Sequence, residues 1–362
     1  MADRRPARLA ALVDALDRVH LDAVLVTSLP NIRYLTGFSG SSALLVVSRR
    51  EVLFVSDFRY LTQASAEVGA VARVSIQESS LWAGLWQLLP QLAGIEAIGF
   101  ESASLLHRDF QRLLESGTRW QWRPTADLVE ALRERKDAGE VAAIRAAGAM
   151  ATEALARTLD QVRPGMTELA VAGLLEKALR DAGSEDFPFP CIVASGERAA
   201  LPHARPSTRT LAAGDLLLLD FGAESGGYCA DVTRTVAVGP ATDRQREIHA
   251  VVQGAQAVAL AGIRAGMTGR DADALARGYI ERAGFGAQFG HGLGHGLGLE
   301  VHEAPRLSRV ADAVLSTDAV VTIEPGIYVP GWGGVRIEDD VHLAVDGPET
   351  LTHFTRDLLQ IA

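Results

Sequence analysis

The hydrophobic rhythm of the chain changes along its length. Over residues 1–20, Leu9, Leu12, Val13 and Leu16 recur at helical spacing and predict an amphipathic helix. From residue 23 onward, short apolar runs at 23–27, 43–48, 52–56 and 97–101 predict strands, and they alternate with helical stretches such as 104–116. Strands alternating with helices predict an α/β domain. The pattern then breaks at residues 128–141, where Arg133, Glu134, Arg135, Lys136, Asp137 and Glu140 crowd together ahead of an Ala-rich helix running toward Asp160. A boundary at that charged stretch divides the chain into domains 1–135 and 136–362.

The second part carries two predicted hairpins, each flanked by acidic residues. Residues 216–223 are apolar and lead through Glu224-Ser225-Gly226-Gly227 into a Val- and Thr-rich strand at 228–238. Pairing Ala223 with Tyr228 predicts Asp220 directly opposite Asp231. Downstream, residues 320–329 and 334–343 flank Pro330-Gly331-Trp332-Gly333, and pairing Val329 with Gly333 predicts Glu324 opposite Glu338. Directly opposed side chains have Cβ atoms about 4.5–5.5 Å apart, and like charges there are destabilising unless a cation lies between them. One acid on a strand face is ordinarily a solvated charge. Two opposed pairs, with His291, His295 and His302 between them in FGHGLGHGLGLEVHE (289–303), have the composition of a two-metal hydrolytic site.

An internal repeat joins the two hairpins. Val162-Arg163-Pro164-Gly165-Met166-Thr167 recurs as Ile263-Arg264-Ala265-Gly266-Met267-Thr268, each leading into a helical stretch that ends in Ala-Gly, at Gly183 and Gly284. A duplicated helix–hairpin unit would close around a pseudo-twofold axis and bring both acidic pairs to its centre.

Composition narrows the possible partners. With 362 residues and 48% hydrophobic content, the chain can build substantial cores. Its net charge of −10 disfavours nucleic acid and anionic membrane as partners. The N-terminus lacks the features of a secretory signal and no apolar run is long enough to span a bilayer, so a cytoplasmic location is expected. Cys191 and Cys229 form neither a disulfide framework nor a zinc-type pair. Trp82 and Trp86, at i and i+4, read as packing residues, and His20, His107 and His249 as structural or surface residues. The glycines of GHGLGHGLG have no following G-K-[ST], so close backbone approach explains them better than a nucleotide loop.

Asp220, Asp231, His295, Glu324 and Glu338, in that order and within LDFGA, CADVTRT, HGLGHGLGLEVHE, IEPGIYVP and GVRIEDD, resemble the metal ligands of the pita-bread metallopeptidases. That family includes methionine aminopeptidase, aminopeptidase P and prolidase. The resemblance implies a creatinase-like N-terminal α/β domain followed by an α+β pita-bread catalytic domain with internal pseudo-twofold duplication. His203 in LPHARP, His291, His302 and Arg336, together with the leading domain, are similar to the Xaa-Pro branch. NIRYLTGFSG (31–40) resembles the loop by which that domain reaches the active site, often across a homodimer.

The resemblance also implies roles. Two divalent ions, Mn²⁺ or alternatively Co²⁺ or Zn²⁺, would activate a water. Asp220 would chelate one ion, His295 and Glu324 the other, and Asp231 and Glu338 would bridge both. Glu324 would accept the proton of the water, while His203 and His302 would hydrogen-bond the scissile carbonyl. His291 would hold substrate or orient its loop, and Arg336 would orient carboxylates. Arg306, in HEAPR, matches an arginine suited to a substrate carboxylate, which favours Xaa-Pro dipeptides (prolidase) over longer peptides with proline second (aminopeptidase P). The remaining alternatives are a metal-free scaffold and a creatinase-like hydrolase, both disfavoured by retention of all five ligand positions.

Overall fold

A computed structural model describes residues 3–361, and the chain divides into two compact units, Met1–Arg133 and Glu134–Ala362. The first contains α1 (Arg5–Arg18), β1 (Ala23–Val26), α2 (Leu29–Thr36), β2 (Ala43–Ser48), β3 (Val52–Asp57), α3 (Leu61–Val68), β4 (Arg73–Gln77), α4 (Leu81–Leu88), β5 (Ala97–Glu101), α5 (His107–Ser116), β6 (Gln121–Thr125) and α6 (Glu130–Arg133). Its six strands form one mixed sheet in the order β4-β3-β2-β1-β5-β6. Trp82 and Trp86 stack in its core with Trp120 and Trp122, with ring centroids 5.9–6.4 Å apart, so they are packing residues.

One expectation needs correction here. Most of NIRYLTGFSG, read as a loop, is the helix α2. The turn-forming residues around it sit at the ends of the helix, where they are compatible with it: Pro30, just before the segment, is in the first turn and Gly37, at φ 81°, takes the left-handed position after the last. Asn31 is fully buried, donating from Nδ2 to Glu101 (2.6 Å) and Glu130 (2.5 Å) and accepting from Arg133 (2.7 Å).

The second unit contains α7 (Ala138–Leu159), α8 (Glu168–Asp181), β7 (Ile192–Ser195), β8 (Leu216–Ser225), β9 (Tyr228–Val238), α9 (Asp243–Gly262), α10 (Gly269–Arg282), β10 (Gly294–Gly296), β11 (Glu303–Leu307), β12 (Val320–Ile323), β13 (Gly326–Val329), β14 (Gly333–Arg336), β15 (Asp339–Ala344), β16 (Gly347–Thr350) and β17 (Gln360–Ile361). Its sheets are ordered β17-β9-β8-β7 and β11-β10-β12-β15-β16, with β13-β14 as a separate ribbon. The charged segment that precedes α7 ends in a capping box, Asp137 bonding the Glu140 backbone and Glu140 bonding back, which fixes where the helix starts. On β8, Leu217, Leu219, Phe221 and Ala223 pack with Ala147, Ala151 and Leu155 of α7 and Leu175 of α8. Strand alternation therefore turns Asp220 and Gly222 to the opposite face.

The repeat read from the sequence recurs as a repeated set of bonds. Gly165 and Gly266 have φ of 88° and 89°, and their N–H groups donate to Leu211 and Leu315, each at 2.8 Å. Met166 and Met267 accept from those same two residues, again at 2.8 Å. Thr167 and Thr268 cap α8 and α10, both 14 residues long, and Gly183 and Gly284 follow them at positive φ. Cys191 and Cys229 are buried free thiols, and among the described residues no helix is long and apolar enough to cross a membrane.

Candidate metal centre

The first acidic hairpin closes more tightly than its sequence suggests. Ser225 pairs with Tyr228 across a two-residue turn, Gly226-Gly227, both at positive φ (59° and 81°). Such turns match the right-handed twist of the strands and require residues tolerant of positive φ, which Gly-Gly supplies. The expected pairing of Ala223 with Tyr228 is therefore corrected by two residues. Asp231 lies opposite Gly222, and Asp220 opposite Thr233. Because the shift is even, the two aspartates keep one face, as diagonal neighbours instead of opposed ones.

In the second hairpin Val329 does pair with Gly333, and the same register holds at Gly326–Arg336 and Ile323–Asp339. That leaves Glu324 opposite Glu338 at a step where the ladder is interrupted. Pro325 has no N–H with which to continue it. The freed backbone groups turn to other strands: Glu324 N–H donates to Leu293 (2.9 Å) and Glu338 N–H to Thr233 (3.1 Å). The break thus draws the strand before His295 and the strand after Asp231 onto the two glutamates.

His295 stands on β10, between β11 and β12. Its neighbours Gly294 and Gly296 leave no room for a side chain, since a Cβ would fall 2.0 Å from the carbonyl of Thr322 or of Ala304. Nδ1 lies 3.0 Å from the Gly296 carbonyl, a bond only an N–H can make, so Nε2 carries the lone pair. Burial holds this imidazole's pKa down at about 4, so it is neutral at pH 7. Nε2 is 3.5 Å from Glu324 Oε1 and 3.8 Å from Asp231 Oδ2, so its lone pair stands among the acids. Ligand atoms of Asp231, His295 and Glu338 all lie within 4.8 Å of one another.

The electrostatics point the same way. Burial, with Glu338 and Asp220 nearby, raises Asp231 well above the usual carboxylate range; burial and Glu324 do the same to Glu338. Glu324 is pushed up to about 8, chiefly by burial, with Arg336 opposing. Asp231 Oδ1 is buried without a hydrogen-bond partner. An uncompensated buried carboxylate costs several kcal/mol. Oxygen donors with one neutral imidazole, crowded and short of positive charge, fit divalent cations.

All ten residues singled out in the sequence line one cavity of about 550 Å³. Arg336 donates to Asp220, to Tyr328 Oη (2.6 Å) and to Thr233 Oγ1 (3.1 Å). His291 is already engaged at both nitrogens, with Gly292 O at 2.8 Å and Tyr328 Oη at 2.9 Å. His302 is exposed, its ring 4.4 Å from that of His295, and its pKa is lowered by burial of part of the ring and by Arg306. His203 and Arg306 are also exposed on the cavity wall. Phe189, Pro190, Ile192, Pro202 and Val301 supply an apolar lining.

Sequence reading passed over four residues that hold this cluster. Thr233 donates to Glu338 (2.5 Å), Thr322 links the His295 backbone (3.1 Å) to Glu324 (3.3 Å), Asp340 accepts from the Asp231 N–H (3.0 Å), and Tyr328 joins His291 to Arg336. Each lies two or four positions from a candidate ligand, so strand alternation alone could have found them.

Comparison with known proteins gives a consistent picture. The profile of Metallopeptidase family M24 matches residues 142–344, and that of the Creatinase/Prolidase N-terminal domain matches residues 8–135. The chain is 33% identical over 358 residues to the Xaa-Pro dipeptidase of Pyrococcus horikoshii, spanning 97% of this chain and 98% of that one. Among solved structures it is similar to the Xaa-Pro dipeptidase from Bacillus anthracis, with 39% identity, a TM-score of 0.95 and coverage of 99% and 100%. It is also similar to the X-Pro aminopeptidase from Thermotoga maritima, with 36% identity, a TM-score of 0.90 and coverage of 98% and 99%.

Proposed function

This chain belongs to metallopeptidase family M24, and from that premise we propose that it hydrolyses the peptide bond before proline in small peptides, with Xaa-Pro dipeptides as the favoured substrates. The observation that carries the proposal is the convergence of Asp231, His295 and Glu338, with Asp220 and Glu324 on the same cavity wall. An Xaa-Pro bond is a tertiary amide without an N–H, so an enzyme cannot grip it by that group. Chemistry directed at the carbonyl does not need it, and the apolar lining suits a pyrrolidine ring.

Asp220, Asp231, His295, Glu324 and Glu338 would hold two divalent ions, with Mn²⁺ the best match to an oxygen-rich set containing one imidazole. When bound, such ions polarise a carbonyl and lower the pKa of a water. The protein's own groups do the rest. Glu324, which the charge of bound cations would keep ionised, accepts the proton of the attacking water and returns it to the departing proline nitrogen. His302 and His203, exposed on the cavity wall, donate hydrogen bonds to the carbonyl oxygen as negative charge develops there. Arg336 fixes Asp220, while His291, engaged by Tyr328 and Gly292, shapes the wall. Arg306 reads the substrate carboxylate.

A second reading, release of the first residue from longer peptides, is favoured by the likeness to the Thermotoga maritima X-Pro aminopeptidase. Turnover of Leu-Pro against Leu-Pro-Pro by the Mn²⁺-reconstituted protein, with a chelated control, separates the two. Cleavage confined to Leu-Pro is expected, together with an increase of about tenfold in KM for Arg306→Ala at unchanged kcat. Leucine released from the tripeptide, or unaltered kinetics in the variant, would return Arg306 to the role of a surface charge.

A further inference from the structure

His203 has no means of holding its own ring in place. It is exposed on the cavity wall and, among the described residues, makes no hydrogen bond. Its position is set by its backbone, on the segment that leaves β7 at Ser195 and returns at Ser207. Both ends of that segment meet one side chain. Glu168, the first residue of α8, has a fully buried carboxylate. Its Oε1 accepts from the N–H and the hydroxyl of Ser195, each at 2.8 Å, and its Oε2 from the N–H (3.0 Å) and hydroxyl (2.6 Å) of Ser207.

The middle of the segment is tied to the same group. Arg198 donates Nε to Glu168 Oε2 at 3.0 Å and Nη2 to the carbonyl of Arg205 at 2.7 Å, two residues beyond His203. Ala199 packs its carbonyl against β14, where a Cβ on Gly334 would come within 2.1 Å of it. Burial alone would push the Glu168 carboxyl up, but the bonds from Ser207, Ser195 and Arg198 outweigh it and leave the pKa below the usual value. The group is therefore ionised at neutral pH, and the helix N-terminus beside it favours that charge. Only a carboxylate offers two oxygens with enough lone pairs for this set of donors.

We propose that Glu168 is a positioning residue for His203: by closing the 195–207 segment onto one buried charge, it sets where the imidazole stands in the cavity. The assignment deepens the peptidase reading and rests on it for the chemistry at His203. In a segment that only stabilises the fold, loss of Glu168 would add its cost to that of losing His203. A group acting through His203 has nothing further to lose once the imidazole is gone.

The test uses the Mn²⁺-reconstituted protein and its Glu168→Gln, His203→Ala and double variants on Leu-Pro, with hydrogen exchange measured on each. His203→Ala is expected to lower kcat about 100-fold, Glu168→Gln about 10- to 100-fold, and the double variant no more than about twofold beyond His203→Ala. Losses that multiply would overturn the proposal. The amides of Ser195 and Ser207 should exchange faster in Glu168→Gln while the rest of the unit keeps its protection, and unchanged protection at both would overturn it whatever the activity. A wild-type protein inactive on every Xaa-Pro peptide would instead refute the peptidase reading, leaving exchange to decide the role of Glu168. Should Glu168→Gln fail to fold, Ser207→Ala removes one hydroxyl donor to Glu168, together with the acceptor of the Arg209 N–H, and should shift kcat and exchange in the same direction by less.

Discussion

The two halves of the second unit repeat their backbone bonds and their threonine caps but not the side chain that follows the cap. At Gly165 and Gly266 the same donors meet equivalent acceptors at the same distances, and Thr167 and Thr268 start helices of equal length. One residue further on they part. The first half places Glu168 there, and its carboxylate anchors the segment bearing His203. The second half places Gly269 there, where a Cβ would lie 2.1 Å from the carbonyl of Arg306, so β11 packs directly on the helix start. Its histidine turn is held by a different device, a buried ion pair between Lys136 and Glu303, the residue after His302, at 3.2 Å. The difference teaches where duplication is informative. Main-chain bonds carry the repeated scaffold, and the positions that depart from symmetry are those that place exposed cavity groups.

The candidate ligands come from both halves, Asp220 and Asp231 from one and His295, Glu324 and Glu338 from the other. The largest effect is therefore expected where the halves meet. Asp231→Asn should abolish turnover and reduce bound Mn²⁺ by at least one equivalent in metal analysis of a folded protein. Full metal content in an inactive variant would remove Asp231 from the ligand set. The metal-free wild type carries a second signature of the same cluster. Carboxyls held above their unfolded pKa bind protons more tightly when folded, so stability is greatest below the unfolded value near 4.3 and falls as pH rises. For Glu324 that fall runs up to about pH 8. Tm in chelator should thus be lower at pH 8 than at pH 5, and Mn²⁺ should erase the difference; a flat profile would show that the acids are not crowded.

Smaller, and confined to the second half, is the effect of His302→Ala. Its ring touches His295, but it is exposed and stands outside the converging group of Asp231, His295 and Glu338, so metal content should stay at the wild-type level while kcat falls about 100-fold. Loss of metal in this variant would make His302 a support for His295 and leave His203 alone at the carbonyl.

Much of this was legible before the structure. The leading α/β domain follows from strand and helix periodicity, the pita-bread fold from the family resemblance that the ligand motifs carry, and the second hairpin's register from the turn at Pro330-Gly331-Trp332-Gly333. The first register was misjudged because Glu224 and Ser225 read as turn residues, whereas two glycines at positive φ suffice. The segment 31–40 was misread because the proline just before it and its own Gly37 mark helix ends as readily as loops. Thr233, Thr322 and Tyr328 were missed for another reason. Hydroxyl groups on apolar strands read as filler until the acids they hold are seen across the strand pair. Glu168 was beyond sequence reading altogether, since its donors come from residues 195–207, far along the chain.

The smallest expected effect is the one that tests the comparison itself. If Gly269 serves only to let β11 approach, Gly269→Ala must move the Arg306 strand by the overlap of a methyl group with a main-chain carbonyl, which cannot rotate away. Such overpacking costs about 1–3 kcal/mol, read as a lower Tm in the metal-loaded protein. The displaced strand carries Arg306 but none of the five candidate ligands, so KM for Leu-Pro should rise by a few-fold at nearly constant kcat. Glu168→Gln, at the matching position of the other half, is expected to do the reverse, lowering kcat with little change in KM. A Gly269→Ala variant that lost kcat instead would place β11 in control of His295 through their shared pairing, and the two halves would then position their histidines by the same kind of device.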